Sequence, residues 1–316
     1  MPIKIPRDLP AYSALEAENI FVMPEDRAST QDIRPLEIGI VNLMPTKIDT
    51  ETQLMRLLGN SPIQVNITLL RTATHDSAHT SRAHLERFYK TFDQIVDLKF
   101  DGMIITGAPV EKMPFEKVDY WEELTDIMDF TRQRVYSTLY LCWAAQAALY
   151  YFYKIPKYEL PSKLSGIFCH EALQTESRLF RGFDDEFLAP HSRHTEIRTE
   201  DCLQCPDLSL LAHSLEAGAA VLESTDHRQV FSTGHLEYDR DTLDREYRRD
   251  LARGLNPDLP RHYYPENNPE NTPKMSWKSH AHLFFSNWLN YSVYQETPFS
   301  LTAISGPGHE GGKAGS

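Results

Sequence analysis

The chain contains the stretch Val135-Tyr136-Ser137-Thr138-Leu139-Tyr140-Leu141-Cys142-Trp143-Ala144-Ala145-Gln146-Ala147-Ala148-Leu149-Tyr150-Tyr151, in which a strand pattern changes into a helix pattern with no turn residue between. Residues 135–141 are β-branched, aromatic and aliphatic, which is typical of a buried strand. Residues 144–151 are rich in alanine and favour a helix. The change falls on Cys142, so the sequence predicts a sharp strand-to-helix junction at this residue.

Cys142 at such a junction has the setting of a nucleophile. The positive end of the helix dipole favours a thiolate over a thiol. The backbone N–H of the next residue, Trp143, would point the same way and could stabilise an oxyanion. This arrangement is a nucleophile elbow built on sulfur. The alternative is a structural cysteine that ends a core strand, because cysteine is among the most buried residue types.

The composition narrows the classes of protein. The chain has 316 residues, 41% of them hydrophobic, which is enough for a substantial core. A formal net charge of −13 argues against a nucleic-acid partner. No apolar run reaches the roughly 18 residues of a membrane span, and residues 1–7 lack the apolar run of a signal peptide. Four cysteines are too few for a disulfide framework, so we expect a cytoplasmic protein without a membrane partner.

Strand and helix patterns alternate along the first half of the chain, with strands at 36–44, 63–70, 102–106 and 135–141 and helices at 46–58, 83–95 and 120–136. We therefore predict an α/β fold with a mostly parallel sheet, helices on both faces and the elbow at Cys142. Ligands of such sheets bind beyond the carboxyl ends of the strands. The segments 43–45, 106–109 and 141–142 should therefore converge on one crevice.

The remaining patterns set the domain boundaries. The proline-containing residues 1–35 predict an irregular arm, 36–301 a single α/β catalytic domain, and the Gly-rich residues 302–316 a disordered tail. The second half of the domain predicts extended segments at 163–170 and 186–190, strands at 219–223 and 229–234, a charged helix at 242–254, a loop at 256–273 and a final helix at 277–294.

His235 is the candidate base for Cys142. It follows a predicted strand directly after Gly234, about ninety residues beyond the cysteine. In extended chain, the i, i+2 spacing puts His235 and Glu237 on the same side, where a carboxylate can hold the tautomer of the imidazole. A cysteine elbow followed by such a histidine and glutamate favours nucleophilic catalysis.

The other cysteines have weaker claims to chemistry. Cys169 and His170 are adjacent, so an extended strand would point them to opposite faces and they should not form a dyad. Cys202 and Cys205 have C-x-x-C spacing, which leaves zinc binding or redox work open. No second pair of cysteines or histidines completes a metal site, so no metal is expected.

The combination of the cysteine elbow, the loop 106–109 and His235-x-Glu237 resembles the class I glutamine-amidotransferase architecture. That superfamily usually has glycines two residues either side of the cysteine, where this chain has Tyr140 and Ala144. It commonly has proline after the histidine, where this chain has Leu236.

The chain resembles more closely the bacterial homoserine O-acyltransferases of methionine biosynthesis, the family often called homoserine trans-succinylases. The resemblance covers residues 1 to about 301 and depends on the segments 35–47, 106–111, 141–147, 190–193, 234–238 and 287–291. It implies a ping-pong O-acyltransferase, in which Cys142 takes the acyl group from acyl-CoA as a thioester. His235 would be the general base and Glu237 its partner. Backbone N–H groups of Trp143 and of the turn at Gly107 and Ala108 would hold the oxyanion.

The resemblance also implies the substrates and the residues that bind them. Lys163, Ser192 and Arg249 match the family's homoserine-binding positions, and Arg249 would pair with the homoserine carboxylate. The expected ligands are L-homoserine and acetyl-CoA, the latter as a co-substrate, with no cofactor. A homodimer is what the family suggests.

Glu111 matches the position that influences which acyl-CoA is used. Glutamate there goes with acetyl-CoA in the family and glycine with succinyl-CoA, and a second negative charge would repel a succinyl carboxylate. The expected activity is therefore homoserine O-acetyltransferase, with homoserine O-succinyltransferase as the alternative. A glutaminase working through the same cysteine and histidine, and an amino-acid sensor without turnover, are the alternatives of other classes.

Overall fold

The computed structural model describes residues 3–18, 34–74 and 80–304. Within them, the chain forms one sheet of 11 strands with helices packed on it. The strands are β1 (Ile3–Lys4), β2 (Leu36–Val41), β3 (Val65–Leu70), β4 (Tyr89–Lys90), β5 (Phe100–Ile105), β6 (Val135–Leu141), β7 (Tyr158–Ala172), β8 (Glu186–Glu196), β9 (Leu208–Ser214), β10 (Gly218–Ser224) and β11 (Gln229–Ser232). The α-helices are α1 (Pro10–Ala17), α2 (Lys47–Leu58), α3 (Arg82–Phe88), α4 (Trp121–Arg134), α5 (Trp143–Tyr153), α6 (Thr199–Leu203), α7 (Thr242–Ala252) and α8 (Lys278–Asn287).

The sheet is parallel in one half and antiparallel in the other. Its strand order is β1-β3-β2-β5-β6-β11-β10-β9-β7-β8, with β4 beside β3. In this spatial order, the five pairings between β1 and β11 are parallel, and the four pairings between β11 and β8 are antiparallel. Short connections such as residues 215–217, between β9 and β10, allow only antiparallel pairing. The α/β class and the mostly parallel sheet are confirmed, since six of the ten strand pairings among the described residues are parallel.

Helices cover both faces of the sheet, as predicted. Side chains of β6 alternate between two cores, with Leu139 and Leu141 in one and Tyr140 in the other. The first core receives side chains from α1, α2 and α8, and the second receives them from α4 and α5. The buried central strands therefore hold the carboxyl ends of β5, β6 and β11 in a rigid frame.

The irregular arm predicted for residues 1–35 is wrong where the structure describes it. Pro10–Ala17 is a helix, and Tyr12 and Leu15 on it are buried in the first core. Pro10 occupies the first helical turn, where the missing N–H costs nothing. Residues 19–33 of this arm lie outside the described residues.

Some other element predictions differ from the structure. The helix expected at 83–95 ends at Phe88, and β4 and a 3-10 turn at Phe92–Gln94 follow. The helix expected at 277–294 continues beyond α8 as a π-helix at Trp288–Tyr294. Of the tail predicted to be disordered, Leu301–Ala303 contributes to a 3-10 turn, and 305–316 lies outside the described residues. Among the residues that the structure describes, no helix is long and apolar enough to cross a bilayer.

Candidate active site

Cys142 lies at the junction of β6 and α5, where the sequence predicts an elbow. Its backbone has φ 49° and ψ −113°, a conformation that a residue with a Cβ rarely adopts. Its N–H donates to the carbonyl of Ser232 on β11 at 2.7 Å. The strand therefore turns into the helix within one strained residue, whose side chain is almost fully buried. The predicted junction is confirmed, while the nucleophilic role stays a prediction.

The loop after β5 closes against this elbow. A Cβ placed on Gly107 would lie 3.2 Å from the Cβ of Cys142 and 3.5 Å from the nitrogen of Trp143. Thr106 holds the end of β5, since its Oγ1 accepts from the N–H of Leu43 at 2.8 Å. The missing side chain at Gly107 leaves room beside the cysteine for a reacting oxygen. The predicted convergence of the three strand ends is confirmed.

His235 reaches Cys142 because β11 pairs in parallel with β6. On one side, its imidazole lies beside Cys142, and both residues line the same cavity. On the other side, Nδ1 lies 2.7 Å from Oε1 of Glu237, and the backbone N–H of His235 donates to the carbonyl of Pro190 at 2.8 Å. The carboxylate favours the tautomer with its proton on Nδ1, which leaves Nε2 for the sulfur. The three residues predicted to act together therefore lie in contact.

The electrostatics of this group favour an imidazolium. Burial disfavours the charged ring, but the negative charges of Cys142 and Glu237, with their hydrogen bonds, raise the pKa of His235 well above its usual value. The ring is therefore expected to carry a positive charge.

A cavity of about 500 Å³ opens over Cys142 and His235. Of the residues predicted for the site, Trp143 and Glu237 do not line this cavity. The other eight do: Gly107, Ala108, Glu111, Cys142, Lys163, Ser192, His235 and Arg249. The segment 44–46, at the start of α2, and several residues of α7 complete the lining. The cavity therefore brings these eight residues together, while their roles stay predictions.

The predicted acceptor residues meet around a glutamate that the sequence analysis missed. Glu246 accepts from Lys163 Nζ at 3.2 Å, from the hydroxyl of Ser192, and from the hydroxyl of Tyr238 at 3.0 Å. Burial opposes its charge, yet Lys163 and these donors lower the pKa of Glu246 below its usual value. Glu246 is therefore a charged carboxylate that holds one side of the cavity together.

Asp250 is the second missed carboxylate of this wall. It accepts from Lys163 Nζ at 3.3 Å and from Arg249 Nε at 2.9 Å. Spacing could have found both acids, since Leu243, Glu246 and Asp250 recur at i, i+3 and i+7 along one helix face. Because Leu243 is buried, that face had to point inward.

Glu111 lies on the loop beyond Gly107 and lines the same cavity. Burial is the main cause that raises the pKa of its carboxyl, with Glu246 adding to it, whereas Lys163 and His235 oppose the shift. A further negative charge in this space would meet two glutamates in a partly dry site. The role of Glu111 in selecting the acyl group stays a prediction.

A buried polar group behind the elbow was also missed. Arg193 on β8 is 1% exposed, and its guanidinium donates to the carbonyls of Thr195 and Ala217. Its Nε donates to Nδ1 of His191 at 3.4 Å, and Nε2 of His191 lies 2.9 Å from Nε2 of His170. Burial is the main cause that lowers the pKa of Arg193, while Cys142 and Glu196 oppose the shift.

The remaining cysteines show no site. Cys169 is exposed while His170 is buried, so the predicted separation of this pair is confirmed. Burial raises the pKa of Cys202 to about 12, which makes it a poor ligand or redox thiol, and neither it nor Cys205 is in a disulfide. Within the described ranges, no cluster of three histidine, cysteine or acidic side chains could hold a metal ion.

Comparison with solved structures supports the fold. The chain superposes on a glutamine amidotransferase from Thermotoga maritima with a TM-score of 0.53 and 10% sequence identity, covering 83% of this chain and 100% of that one. At this identity the likeness concerns the fold alone. It confirms the predicted class I glutamine-amidotransferase-like architecture.

Comparison with characterised sequences gives much closer relatives. The chain is 68% identical over 305 residues to the homoserine O-acetyltransferase of Desulfovibrio desulfuricans, covering 96% of this chain and 97% of the relative. It is 60% identical over 304 residues to the homoserine O-acetyltransferase of Thermotoga neapolitana, covering 96% and 100%. Residues 2–299 match the profile of the family described as homoserine O-succinyltransferase. The chain therefore belongs to the homoserine O-succinyltransferase family.

Proposed function

We propose that the protein is a homoserine O-acetyltransferase of methionine biosynthesis, which transfers the acetyl group of acetyl-CoA to the hydroxyl of L-homoserine. The observation that carries the proposal is the similarity, over nearly the whole chain, to proteins named for this reaction. The contact between Cys142, His235 and Glu237 at the floor of a cavity supports the same reaction chemically.

The first half-reaction acylates Cys142. Its thiolate attacks the thioester carbon, a new C–S bond forms, and the carbonyl oxygen becomes an oxyanion. The backbone N–H groups of Trp143 and of the Gly107-Ala108 turn are the donors for this oxyanion, each contributing about 3–4 kcal/mol in comparable sites. The intermediate collapses, the bond to the CoA sulfur breaks, and CoA leaves as a thiol after it takes the proton of the His235 imidazolium.

The second half-reaction transfers the acetyl group. Neutral His235 accepts the proton of the homoserine hydroxyl while the oxygen attacks the acyl carbon of Cys142. The same donors hold the oxyanion again. When the C–S bond breaks, Cys142 leaves as a thiolate beside the imidazolium, which restores the starting charges. Glu237 keeps the ring oriented in both halves.

The polar wall of the cavity suits an amino acid. Arg249 and Lys163 supply positive charge for the carboxylate of homoserine, and Glu246 and Asp250 supply acceptors for its ammonium group. Because Ser192 and Tyr238 donate to Glu246, the wall is held in position before the substrate arrives.

Glu111 supports acetyl over succinyl as the transferred group. The free carboxylate of a succinyl group would stand close to a glutamate in a site that already holds Glu246. An acetyl group ends in a methyl and meets no such repulsion. The succinyl alternative therefore requires that Glu111 point away from the acyl group.

One assay separates the proposal from its rivals. Release of CoA thiol from acetyl-CoA should become catalytic only when L-homoserine is added, and acetyl-CoA alone should leave one acetyl adduct on Cys142. Preference for succinyl-CoA would favour the succinyltransferase, and glutamate release from glutamine without CoA would favour the glutaminase. Binding of homoserine without turnover of either acyl-CoA would favour a sensor. The cytoplasmic location and the homodimer stay predictions of the sequence.

A further inference from the structure

The loop that carries Glu111 has little hydrogen bonding of its own. We call residues 107–113 the acyl loop, which connects β5 to the 3-10 turn at Phe115–Lys117. Its internal backbone bonds are those from Val110 to Ala108 at 2.9 Å and from Met113 to Val110 at 3.0 Å. One side of the loop lines the cavity. Something on its other side must therefore fix where the glutamate stands.

Lys157 contacts that other side. Its ammonium donates to the carbonyl of Glu111 and, at 2.6 Å, to the carbonyl of Met113. It also lies 4.3 Å from the centroid of the Phe115 ring, a cation–π geometry. The Lys157 side chain thus donates to the backbone of Glu111 and to that of Met113, two residues further along.

The Phe115 ring connects this lysine to the elbow. It stacks on Tyr150 with centroids 4.9 Å apart and on Trp121 with centroids 5.4 Å apart. It also contacts Trp143, the residue after the nucleophile, at a centroid distance of 5.9 Å. Lys157 therefore fastens the acyl loop to the same rigid unit that holds Cys142.

The charge of Lys157 is suited to this task. Burial lowers its pKa to about 8, while Glu111 and Glu116 oppose the shift. At neutral pH the side chain is therefore mostly an ammonium with three donors, and charged donors give the stronger hydrogen bonds. Lys157 does not line the cavity, so it has no direct contact with the acyl group.

We propose that Lys157 is a positioning residue for acyl-donor selection, which holds the backbone of Glu111 so that its carboxylate faces the acyl group. The proposal rests on the proposed acyltransferase function. Without Lys157 the acyl loop can move. The Glu111 carboxylate would then no longer be held in the position where it repels the carboxylate of a succinyl group. The binding of homoserine does not use this contact. Any loosening of the turn at Gly107 and Ala108 would slow both acyl donors alike and would not change the ratio between them.

The test compares kcat/KM for acetyl-CoA with kcat/KM for succinyl-CoA in Lys157→Met, which keeps the length of the stem and removes the donors. This ratio does not depend on the concentration of active enzyme, so partial unfolding cannot mimic the effect. We expect it to fall about tenfold or more, with KM for homoserine unchanged. Lys157→Arg should recover most of the ratio, because a guanidinium can also donate to two carbonyls.

Lys154→Met is the matched control. Lys154 also donates to a backbone carbonyl, that of Tyr151, and lies over the Tyr151 ring, but it is exposed and does not contact the acyl loop. In the Lys154→Met variant, the ratio of kcat/KM for acetyl-CoA to kcat/KM for succinyl-CoA should equal that of the wild type. An equal fall in both variants would overturn the proposal.

A double variant tests whether Lys157 acts through Glu111. In a Glu111→Gly background, adding Lys157→Met should leave the ratio unchanged, since the group being positioned is gone. A further fall of the same size would show that the lysine acts elsewhere, and an unchanged ratio in the single variant would overturn the proposal directly. A wild type that does not prefer acetyl-CoA would contradict the proposed function instead, before any variant is compared.

Discussion

The phenol ring of Tyr238 lies nearly parallel to the imidazole of His235, with centroids 4.1 Å apart and 17° between the planes. The hydroxyl of the same tyrosine donates to Oε1 of Glu246 at 3.0 Å. One side chain therefore fixes the plane of the His235 imidazole and also holds Glu246 on the cavity wall. In the proposed reaction, acylation would use the ring of Tyr238 and transfer to homoserine would use its hydroxyl.

Tyr238→Phe should separate the two parts. The variant keeps the stacked ring and loses the hydrogen bond to Glu246, so transfer to homoserine should slow about tenfold, which corresponds to about 1.4 kcal/mol. Acylation of Cys142 by acetyl-CoA should stay near the wild-type rate. Rapid-quench mass spectrometry measures both steps. Tyr238→Leu, which removes the ring as well, should slow both, and a Phe variant that slows acylation as much as transfer would contradict this.

Gly107→Ala should damage the oxyanion site. The added methyl would lie 3.2 Å from the Cβ of Cys142 and 3.5 Å from the nitrogen of Trp143. It would occupy space needed by the reacting oxygen, so acylation should slow by about 10²–10³-fold, the loss typical of one missing donor. Because a contact of 3.2 Å requires Cys142 to shift slightly, the thermal midpoint should fall, and acylation is compared at a temperature at which both proteins are folded. Near wild-type acylation would place the oxyanion elsewhere.

The strained backbone of Cys142 should be visible in stability. With φ 49° and ψ −113°, residue 142 pays a conformational cost that only glycine avoids, typically about 1–3 kcal/mol. Cys142→Gly should therefore be more stable to denaturant than Cys142→Ala by about 1 kcal/mol. The same pair of substitutions at Cys202, inside α6, should show the usual order with alanine more stable. If the alanine variant were more stable than the glycine variant at both sites, the result would argue against backbone strain at Cys142.

The contact between His235 and Glu237 should make stability depend on pH. Although burial opposes it, the charges of Cys142 and Glu237 raise the folded-state pKa of His235 well above 6.5. Such a group stabilises the fold fully below its unfolded pKa of about 6.5, and the contribution is lost as the pH rises through the folded value.

Glu237→Gln removes one of those two charges and should lower the pKa of His235. The substitution should then lower the free energy of unfolding most at about pH 6 and less at alkaline pH. The difference between these two losses should be about 1.4 kcal/mol for each unit by which the substitution lowers the pKa of His235. Urea unfolding of both proteins between about pH 6 and pH 10 measures it. A loss that grows with pH would have the wrong sign.

Arg249→Ala should harm the use of homoserine and spare acylation. The side chain is about half exposed and pairs with Asp250, so water screens its charge. We therefore expect KM for homoserine to rise about tenfold, with burst acylation of Cys142 unchanged. Arg248→Ala is the control, because Arg248 lies on the same helix but pairs with Asp244 and does not line the cavity. Similar effects of both substitutions would deny Arg249 a specific role.

The parallel half of the fold was predictable because its signals are local. Residues 135–141 form β6 as predicted, and β2, β3 and β5 lie within two residues of the expected bounds at most of their ends. The sharp junction at Cys142 was visible because no turn residue intervenes. By contrast, β9 was missed, and α1 was hidden by prolines that suggested irregular chain although Pro10 suits a helix start.

The residues of the candidate site also divide into those that local sequence identified and those that it did not. Cys142, His235 and Glu237 were identified from the chain order of an elbow and a strand end, and Gly107 from the end of a parallel strand. Glu246 and Asp250 were missed although their spacing with Leu243 marks an inward face of α7, because spacing does not show which partners the fold brings to that face. Arg193 was missed because its role depends on long-range contacts such as that with Ala217.

The pairing of β11 with β6 has a consequence for how the chain can vary. Ser232 lies opposite Leu141, so the main chain alone brings His235 beside Cys142, although about ninety residues separate the two along the sequence. The β6–β11 contact itself therefore sets no length for the chain between these strands. Insertions at the fully exposed Leu215, in the hairpin between β9 and β10, should be tolerated because the added residues can extend into solvent. One extra residue between Ser232 and His235 should instead shift the imidazole off its side of the chain and abolish turnover.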